Sequence, residues 1–210
     1  MASKILVDEL APQSHATDVT ITTGKKIAGA NTQYKITGGA SGQVLTNDGS
    51  DGLSWSAAGS TVKRACLVDQ KTTGTSGGTF TLGAWQQRDL QTEYYDDIGI
   101  TFGTNTFILP VGTFYIDWSC PAFRVENNKS RLYNVTAAGV VQYGSTEYTK
   151  MSTAKSTIRS TGSTKITLAA PATFKVEHRG AVTIATEGFG VQSGFSEVEI
   201  YTIVNIMQIS

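Results

Sequence analysis

Residues 109–120, LPVGTFYIDWSC, decide the fold because their side chains alternate between apolar and polar types. The apolar positions are Phe114, Ile116, Trp118 and Cys120, and the positions between them are Tyr115, Asp117 and Ser119. Successive side chains of a strand point to opposite faces, so this alternation predicts a strand with one buried and one wetter face. A second alternation, with Phe174, Val176 and His178 on the apolar side, predicts a second strand of the same kind.

Short strand candidates separated by turns occupy the remainder of residues 61–210. They are residues 62–68, 79–85, 99–102, 106–109, 113–120, 131–136, 140–143, 157–159, 165–169, 172–178 and 196–208. Many short strands at such spacing are typical of a β-sandwich or β-barrel. The chain also contains thirty threonines among its 210 residues, and their branched side chains favour strands over helices. The sequence predicts an all-β protein.

Residues 1–60 differ in composition from the remainder. They contain extended pieces at residues 18–22, 33–36, 43–46 and 53–55, which are separated by Gly, Asn and Asp turns. Few large apolar side chains occur there, so we expect that this segment does not bury a sufficient core alone. We therefore expect an extended segment over residues 1–60, which orders against a partner, and a head domain over residues 61–210.

The end of the chain predicts an interface between subunits. Residues 197–202 alternate as a half-exposed strand should, whereas residues 203–209 place apolar side chains on both faces. A strand that is apolar on both faces is central in its sheet and needs a second cover. A second subunit can supply that cover. The predicted interface residues are Tyr201, Ile203, Met207 and Ile209.

Composition excludes several classes of partner. The chain has 17 Lys and Arg against 17 Asp and Glu, so its net charge is zero. A nucleic-acid partner requires a basic field, which this balance does not supply. The start, MASKILVDEL, lacks the pattern of a signal peptide, and no apolar run approaches the roughly 20 residues that span a bilayer. We expect no nucleic-acid partner, no membrane insertion and no export signal.

No motif indicates an enzyme. Residues 188–194, GFGVQSG, differ from a dinucleotide fingerprint because the third glycine comes one place late and no helix pattern follows. Residues 47–52 lack the ligand order of a calcium loop. The adjacent carboxylates Asp96 and Asp97 predict a solvated loop rather than the facing acids of a glycosidase. We therefore predict no catalytic residue, no cofactor and no metal.

The histidines and cysteines lead to the same prediction. His15 and His178 are the only histidines and do not have the spacing of a zinc site. His178 is predicted to be a structural or surface residue. Cys66 and Cys120 can form at most one disulfide, and two buried free thiols are the favoured alternative because cysteine packs as a small hydrophobe.

Several stretches resemble virion proteins. Residues 42–55, GQVLTNDGSDGLSW, resemble the G-x-V-L-x-x-D-G-x-x-x-L-x-W segment of bacteriophage tail fibres and other virion appendages. Residues 3–10, SKILVDEL, resemble the N-terminal leaders of virion proteins of marine and cyanobacterial phages. The head resembles the complement-head/TNF-like jelly rolls of phage and large-virus structural proteins. The residues that carry this last resemblance are 109–116 (LPVGTFYI), 120–124 (CPAFR), 131–136 (RLYNVT) and 174–179 (FKVEHR).

The resemblance implies a homotrimeric fibre or spike of a bacteriophage virion, assembled in the host cytoplasm. Residues 1–60 would form the virion-docking segment and trimerisation neck, and residues 61–210 an antiparallel, TNF-like jelly-roll head. One alternative is a capsid decoration (cement) protein, and another is a lectin-like or glycan-cleaving module, which the lack of an acid/base pair disfavours. If the tip contacts a host glycan or protein, the candidate residues in predicted loops are Tyr143, Tyr148 and Phe189.

Overall fold

The computed structural model describes residues 40–47, 53–57, 62–150 and 156–209. These residues form thirteen strands and no helix. In chain order the strands are β1 (Gln43–Asn47), β2 (Leu53–Ala57), β3 (Lys63–Lys71), β4 (Gln86–Gln87), β5 (Thr92–Asp96), β6 (Thr101–Gly103), β7 (Thr106–Leu109), β8 (Gly112–Phe123), β9 (Glu126–Asn134), β10 (Gly139–Thr149), β11 (Thr157–Leu168), β12 (Ala172–Gly180) and β13 (Glu199–Gln208). The candidates at residues 18–22 and 33–36 lie outside the described residues.

The chain divides into two units, Met1–Ala58 and Gly59–Ser210. In the first unit, β1 and β2 pair as an antiparallel hairpin in which Leu45 lies opposite Trp55. Both strands predicted at this place, residues 43–46 and 53–55, are confirmed. A hairpin of two strands is at best marginally stable alone.

The second unit is a sandwich of two antiparallel sheets. The five-stranded sheet has the order β11-β8-β13-β3-β5, and the six-stranded sheet has the order β10-β9-β12-β7-β6, with β4 also paired to β12. Strands β12 and β13, which come last in the chain, are each inserted between earlier strands. These strand orders are those of Greek keys closed into a jelly roll. The predicted antiparallel jelly roll is confirmed.

The core lies between the two sheets and contains both predicted alternations. Phe114, Ile116 and Trp118 of β8 are buried, and so are Phe174 and Val176 of β12. These side chains belong to one cluster of buried residues that both sheets supply. The apolar side of each alternating stretch therefore faces the opposite sheet, as the period of two predicts.

Several strand predictions need correction. Residues 79–85 form no strand in the structure and contribute a single bridge, Phe80 to Ile184, because the chain turns at Gly83, where φ is +83°. The solvated loop predicted at Asp96 and Asp97 is wrong at Asp96, because residues 92–96 form the edge strand β5 and only the exposed Asp97 lies outside it. The candidates at 157–159 and 165–169 are one strand, β11, because the Ser and Gly residues between them pair with β8.

Candidate binding surfaces

Strand β13 has apolar side chains on both faces. Val204 and Ile206 are buried between the sheets, whereas Ile203 and Met207 are half-buried on the opposite, outward face. Asn205, which lies between these two, is exposed. The centre of the outward face is therefore not covered by any residue that the structure describes in this unit. The prediction of a central strand that is apolar on both faces is confirmed.

We call this outward surface the β13 face and define it by Ile203, Asn205, Met207, Tyr115 and Asp117. Tyr115 lies opposite Met207, and Asp117 lies opposite Asn205. Two shallow grooves of about 360 and 300 Å³ border this Asp–Asn pair on either side. The face thus combines apolar side chains, grooves and a polar centre. Ile209 is exposed just after the end of β13.

Tyr201 does not lie on the β13 face. The pairing of β13 with β3 shifts register between Ile200 and Ile203, and the irregularity leaves Tyr201 only 3% exposed within the protomer. Its hydroxyl donates a hydrogen bond to the carbonyl of Thr75 at 2.8 Å. Its ring occupies the space that a side chain on Gly190 would fill. The predicted half-exposed alternation over residues 197–202 is therefore wrong. The sequence did not reveal the bulge because no residue in this stretch marks it.

The three predicted receptor-contact residues divide into two groups. Tyr143 and Tyr148 lie in strand β10 rather than in loops, and they are 48% and 57% exposed. Phe189 is only 8% exposed and contacts Phe80, with 4.8 Å between ring centres. The glycine-rich loop folds inwards at Phe189, so this residue is not available to a receptor in the described structure. Tyr143 and Tyr148 remain candidates.

A surface that we did not predict lies on the outward side of the six-stranded sheet. Its cations are Lys129 and Arg131 of β9 and Lys175 and Arg179 of β12, and its aromatic residues are Trp85, Tyr133, Tyr143 and Tyr148. We call this set the basic-aromatic face. Its acidic residue is Glu177, which Arg131 contacts at 2.6 Å and Lys175 at 2.8 Å. Four cations thus accompany one carboxylate in this set.

Arg131 is fixed at the centre of the basic-aromatic face. Its Nε donates a hydrogen bond to Oε2 of Glu177 at 2.6 Å, and its Nη2 forms an ion pair with the same oxygen at 2.6 Å. Its guanidinium carbon lies 4.1 Å from the ring centre of Trp85 and 5.0 Å from that of Tyr133. A cation over an aromatic face is attracted by the ring quadrupole. Arg131 therefore holds the Trp85 ring in place.

A cleft of about 400 Å³ opens beside this cluster. Trp85, Asn127, Lys129, Thr146, Arg179 and Leu82 are among the residues that line it. The Lys129 ammonium lies 5.4 Å from the ring centre of Tyr143, and the Trp85 and Tyr143 ring centres are 6.0 Å apart. The alternation of Lys129, Arg131 and Tyr133 was readable from the sequence. The sequence did not indicate that Trp85 belongs to this surface, because Trp85 lies in a segment that we predicted to be a strand.

A polar cluster is buried inside the sandwich. Arg88 is fully buried; its Nε donates to the hydroxyl of Thr202 at 2.9 Å and its Nη2 donates to the carbonyl of Phe189 at 2.9 Å. Its guanidinium also lies 4.0 Å from the Phe189 ring centre. Burial raises the pKa of Asp69, and the positive charges of Lys71 and Arg88 oppose that rise. The two hydrogen bonds of Arg88 tie the glycine-rich loop to β13.

Cys66 and Cys120 are buried free thiols, so the favoured alternative is confirmed. They lie on β3 and β8, which are separated by β13. Two strand spacings amount to about 10 Å, which exceeds the roughly 7 Å Cα separation that a disulfide can bridge. Burial raises the pKa of both thiols, that of Cys120 to about 11, so neither is a thiolate at neutral pH.

His178 is a structural residue, as predicted, and it is buried. Its Nε2 lies 3.0 Å from Oδ1 of Asn128, and its ring meets Phe80 edge-on at 5.0 Å. An amide oxygen only accepts hydrogen bonds, so the neutral ring carries its proton on Nε2. Burial, with a smaller contribution from the charge of Arg88, lowers the pKa of His178 well below 6.5.

This low pKa predicts acid sensitivity. Below about pH 6.5 the unfolded chain binds a proton at His178 that the folded chain does not bind, so the free energy of unfolding falls as the pH falls. Urea unfolding should show that the free energy of unfolding falls as the pH is lowered from about 7.5 to about 5, and part of that fall should come from this residue. The His178→Gln variant should lose that part of the pH dependence. An unchanged slope in the variant would contradict this assignment.

The described residues offer no obvious chemical centre. Among them there is no group of three or more His, Cys, Asp or Glu side chains placed to hold a metal ion. In the same part of the chain there is no helix long and apolar enough to cross a membrane.

Comparisons with known proteins match solved structures at low sequence identity. No family model matches the sequence, and no curated protein matches it. Solved structures that match include murine APRIL at pH 5.0, with TM-score 0.45 and 7% identity, over 71% of this chain and 100% of that chain. The globular domain of zebrafish complement 1qA protein matches with TM-score 0.44 and 12% identity, over 71% of this chain and 97% of that chain. The jelly-roll assignment stands on the strand orders given above.

Proposed function

We propose that this chain is a structural protein of a bacteriophage virion, a homotrimeric fibre or spike. Residues 1–60 anchor it to capsid or tail proteins, and the jelly-roll head forms the exposed tip, which attaches the particle to a host surface. Its location is the virion, which is assembled in the host cytoplasm. In this role the protein acts by binding and assembly, without a catalytic step or a cofactor.

The observation that carries the proposal is the uncovered β13 face. Ile203 and Met207 lie at the centre of a sheet, where a single sandwich leaves them without a second layer. Exposed apolar groups at a sheet centre favour association with another subunit. In the proposed trimer, Ile203, Met207 and Ile209 contact neighbouring copies, and Tyr201 stabilises each protomer from within.

The hairpin of the first unit gives independent support. Its motif resembles segments of virion appendages, and the structure pairs the motif's Leu45 with Trp55. Val44 and Leu53 of the same hairpin are exposed. A two-stranded hairpin with exposed apolar groups needs further contacts to be stable. Copies of the hairpin in a trimerisation neck, or the virion surface, can provide them.

A reconstruction of particles from cells that express this chain tests the proposal. Density for three jelly rolls on a stalk that projects from the particle supports the fibre or spike. Density that lies flat at symmetry axes of the shell supports the cement alternative, in which the same trimers stabilise the capsid. Particles that lack the chain altogether would contradict both.

A further inference from the structure

We infer that the cleft beside Trp85 binds an anionic polysaccharide, which is a chain of sugar rings bearing carboxylate or sulfate groups. This inference deepens the proposed attachment role and rests on it for its biological setting. The structural evidence for this inference comes from the basic-aromatic face, which lies on the six-stranded sheet, whereas the β13 face lies on the five-stranded sheet. The trimer contact and the polysaccharide site therefore use different residues.

The charges of the basic-aromatic face favour an anion. Arg131 and Lys175 share the single carboxylate of Glu177. Lys129 and Arg179 line the cleft and form no ion pair with any residue in the described ranges. These two cations are therefore available to an acidic ligand. Lys129 lies opposite Arg179 on the neighbouring strand, so the two charges are close to each other.

The aromatic side chains favour sugar rings. Trp85 lines the cleft, and its indole is held by the Arg131 guanidinium at 4.1 Å. Aromatic side chains offer large, rigid apolar surfaces, on which the apolar face of a sugar ring can stack. Tyr143 extends this surface, and Asn127 is exposed at the cleft, where its amide can bond sugar hydroxyls. Arg131 acts as a positioning residue for Trp85.

The size of the cleft and the overall charge fit a short polysaccharide segment. Its volume of about 400 Å³ falls in the lower part of the range of roughly 300–1,000 Å³ that is typical of small-ligand sites. The whole chain carries no net charge. Single-stranded nucleic acid binds in long basic grooves that follow its backbone, whereas the cations here are confined to one face. These features favour the polysaccharide.

Titration of the full-length chain with size-matched probes tests the inference. The acidic probes are an oligogalacturonate hexasaccharide and a heparin-derived hexasaccharide, the neutral probe is maltohexaose, and the nucleic-acid probe is a thymidine hexanucleotide. Isothermal calorimetry should detect binding of at least one acidic hexasaccharide. That binding should weaken as salt is added, because salt screens exposed charges. Maltohexaose should bind at least about tenfold more weakly.

Variants locate the site. Trp85→Ala should weaken binding of the acidic probe about tenfold, and Lys129→Gln about fivefold. Two matched controls lie on other surfaces: Tyr94→Ala removes an exposed tyrosine of β5, and Lys63→Gln removes an exposed cation at the start of β3. Both controls should bind like the unmodified chain. Circular dichroism of each variant shows whether it is folded. If Trp85→Ala unfolds, Lys129→Gln still tests the site, because Lys129 is half-exposed and its substitution should leave the fold intact.

Three results would overturn the inference. They are binding of neither acidic hexasaccharide, equal binding of maltohexaose, and tighter binding of the thymidine hexanucleotide. Light scattering on the same samples separates this inference from the proposed assembly. A trimer that binds no acidic probe contradicts only the polysaccharide site, whereas a monomer that binds one contradicts the proposed trimeric fibre and leaves the polysaccharide site standing.

Discussion

Arg88→Ala should destabilise the jelly roll by about 3–5 kcal/mol, because it removes two buried hydrogen-bond donors and leaves a cavity in place of a large, fully buried side chain. The guanidinium of Arg88 is fully buried and donates hydrogen bonds to Thr202 and to the carbonyl of Phe189. The substitution removes both donors. It also leaves the buried carboxylate of Asp69 without one of its opposing charges.

Urea denaturation followed by circular dichroism measures this loss. Arg179→Ala is the matched control, because Arg179 is exposed on the outward side of β12. Its effect should stay within about 0.5 kcal/mol, as is usual for surface substitutions. A loss below about 1 kcal/mol for Arg88→Ala would show that the buried cluster contributes little to stability.

Gly162→Ala should cost about 3 kcal/mol, at the upper end of the usual range for overpacked cores. Gly162 of β11 lies opposite Trp118 of β8, and a Cβ at this position would collide with the Trp118 ring. The ring cannot move freely, since its Nε1 donates a hydrogen bond to the hydroxyl of Ser130 at 2.9 Å. The added methyl group must therefore either displace β11 or break the hydrogen bond between Trp118 and Ser130.

The control for this change is Gly139→Ala. Gly139 begins β10, and the nearest atom to a Cβ there, the carbonyl oxygen of Ala137, lies at an ordinary contact distance of 3.8 Å. Thermal unfolding should therefore show a large fall in Tm for Gly162→Ala and little change for Gly139→Ala. Equal Tm values for the two variants would mean that Trp118 has room to move.

The sequence predicted the parts of the fold that follow from local periodicity. Phe114, Ile116 and Trp118 recur at every second position, and this spacing alone places them in a core. The last strand was recognised as central because Ile203, Val204 and Ile206 leave no polar face. Each of these patterns lies within a single strand, so it can be recognised without knowing which strands pair with it.

The sequence could not reveal features that depend on contacts between distant segments. Tyr201 is buried because a bulge turns it towards Gly190, and nothing in residues 197–202 marks that bulge. Phe189 lies in a glycine-rich loop that we took to be exposed, yet it folds onto Arg88, 101 residues away in the chain. The Trp85 cleft forms only where four separate segments of the chain meet. Local patterns carry no information about such encounters.

Sedimentation equilibrium of the unmodified 210-residue chain tests the proposed assembly most directly. At micromolar concentration we expect three times the chain mass of 22.3 kDa. Met207→Asp, which places a charge on the β13 face, should shift the mass towards one chain, whereas Val140→Asp, at an exposed position of β10 in the other sheet, should leave the trimer intact. A mass of 22.3 kDa for the unmodified chain would contradict the trimer and with it the proposed fibre.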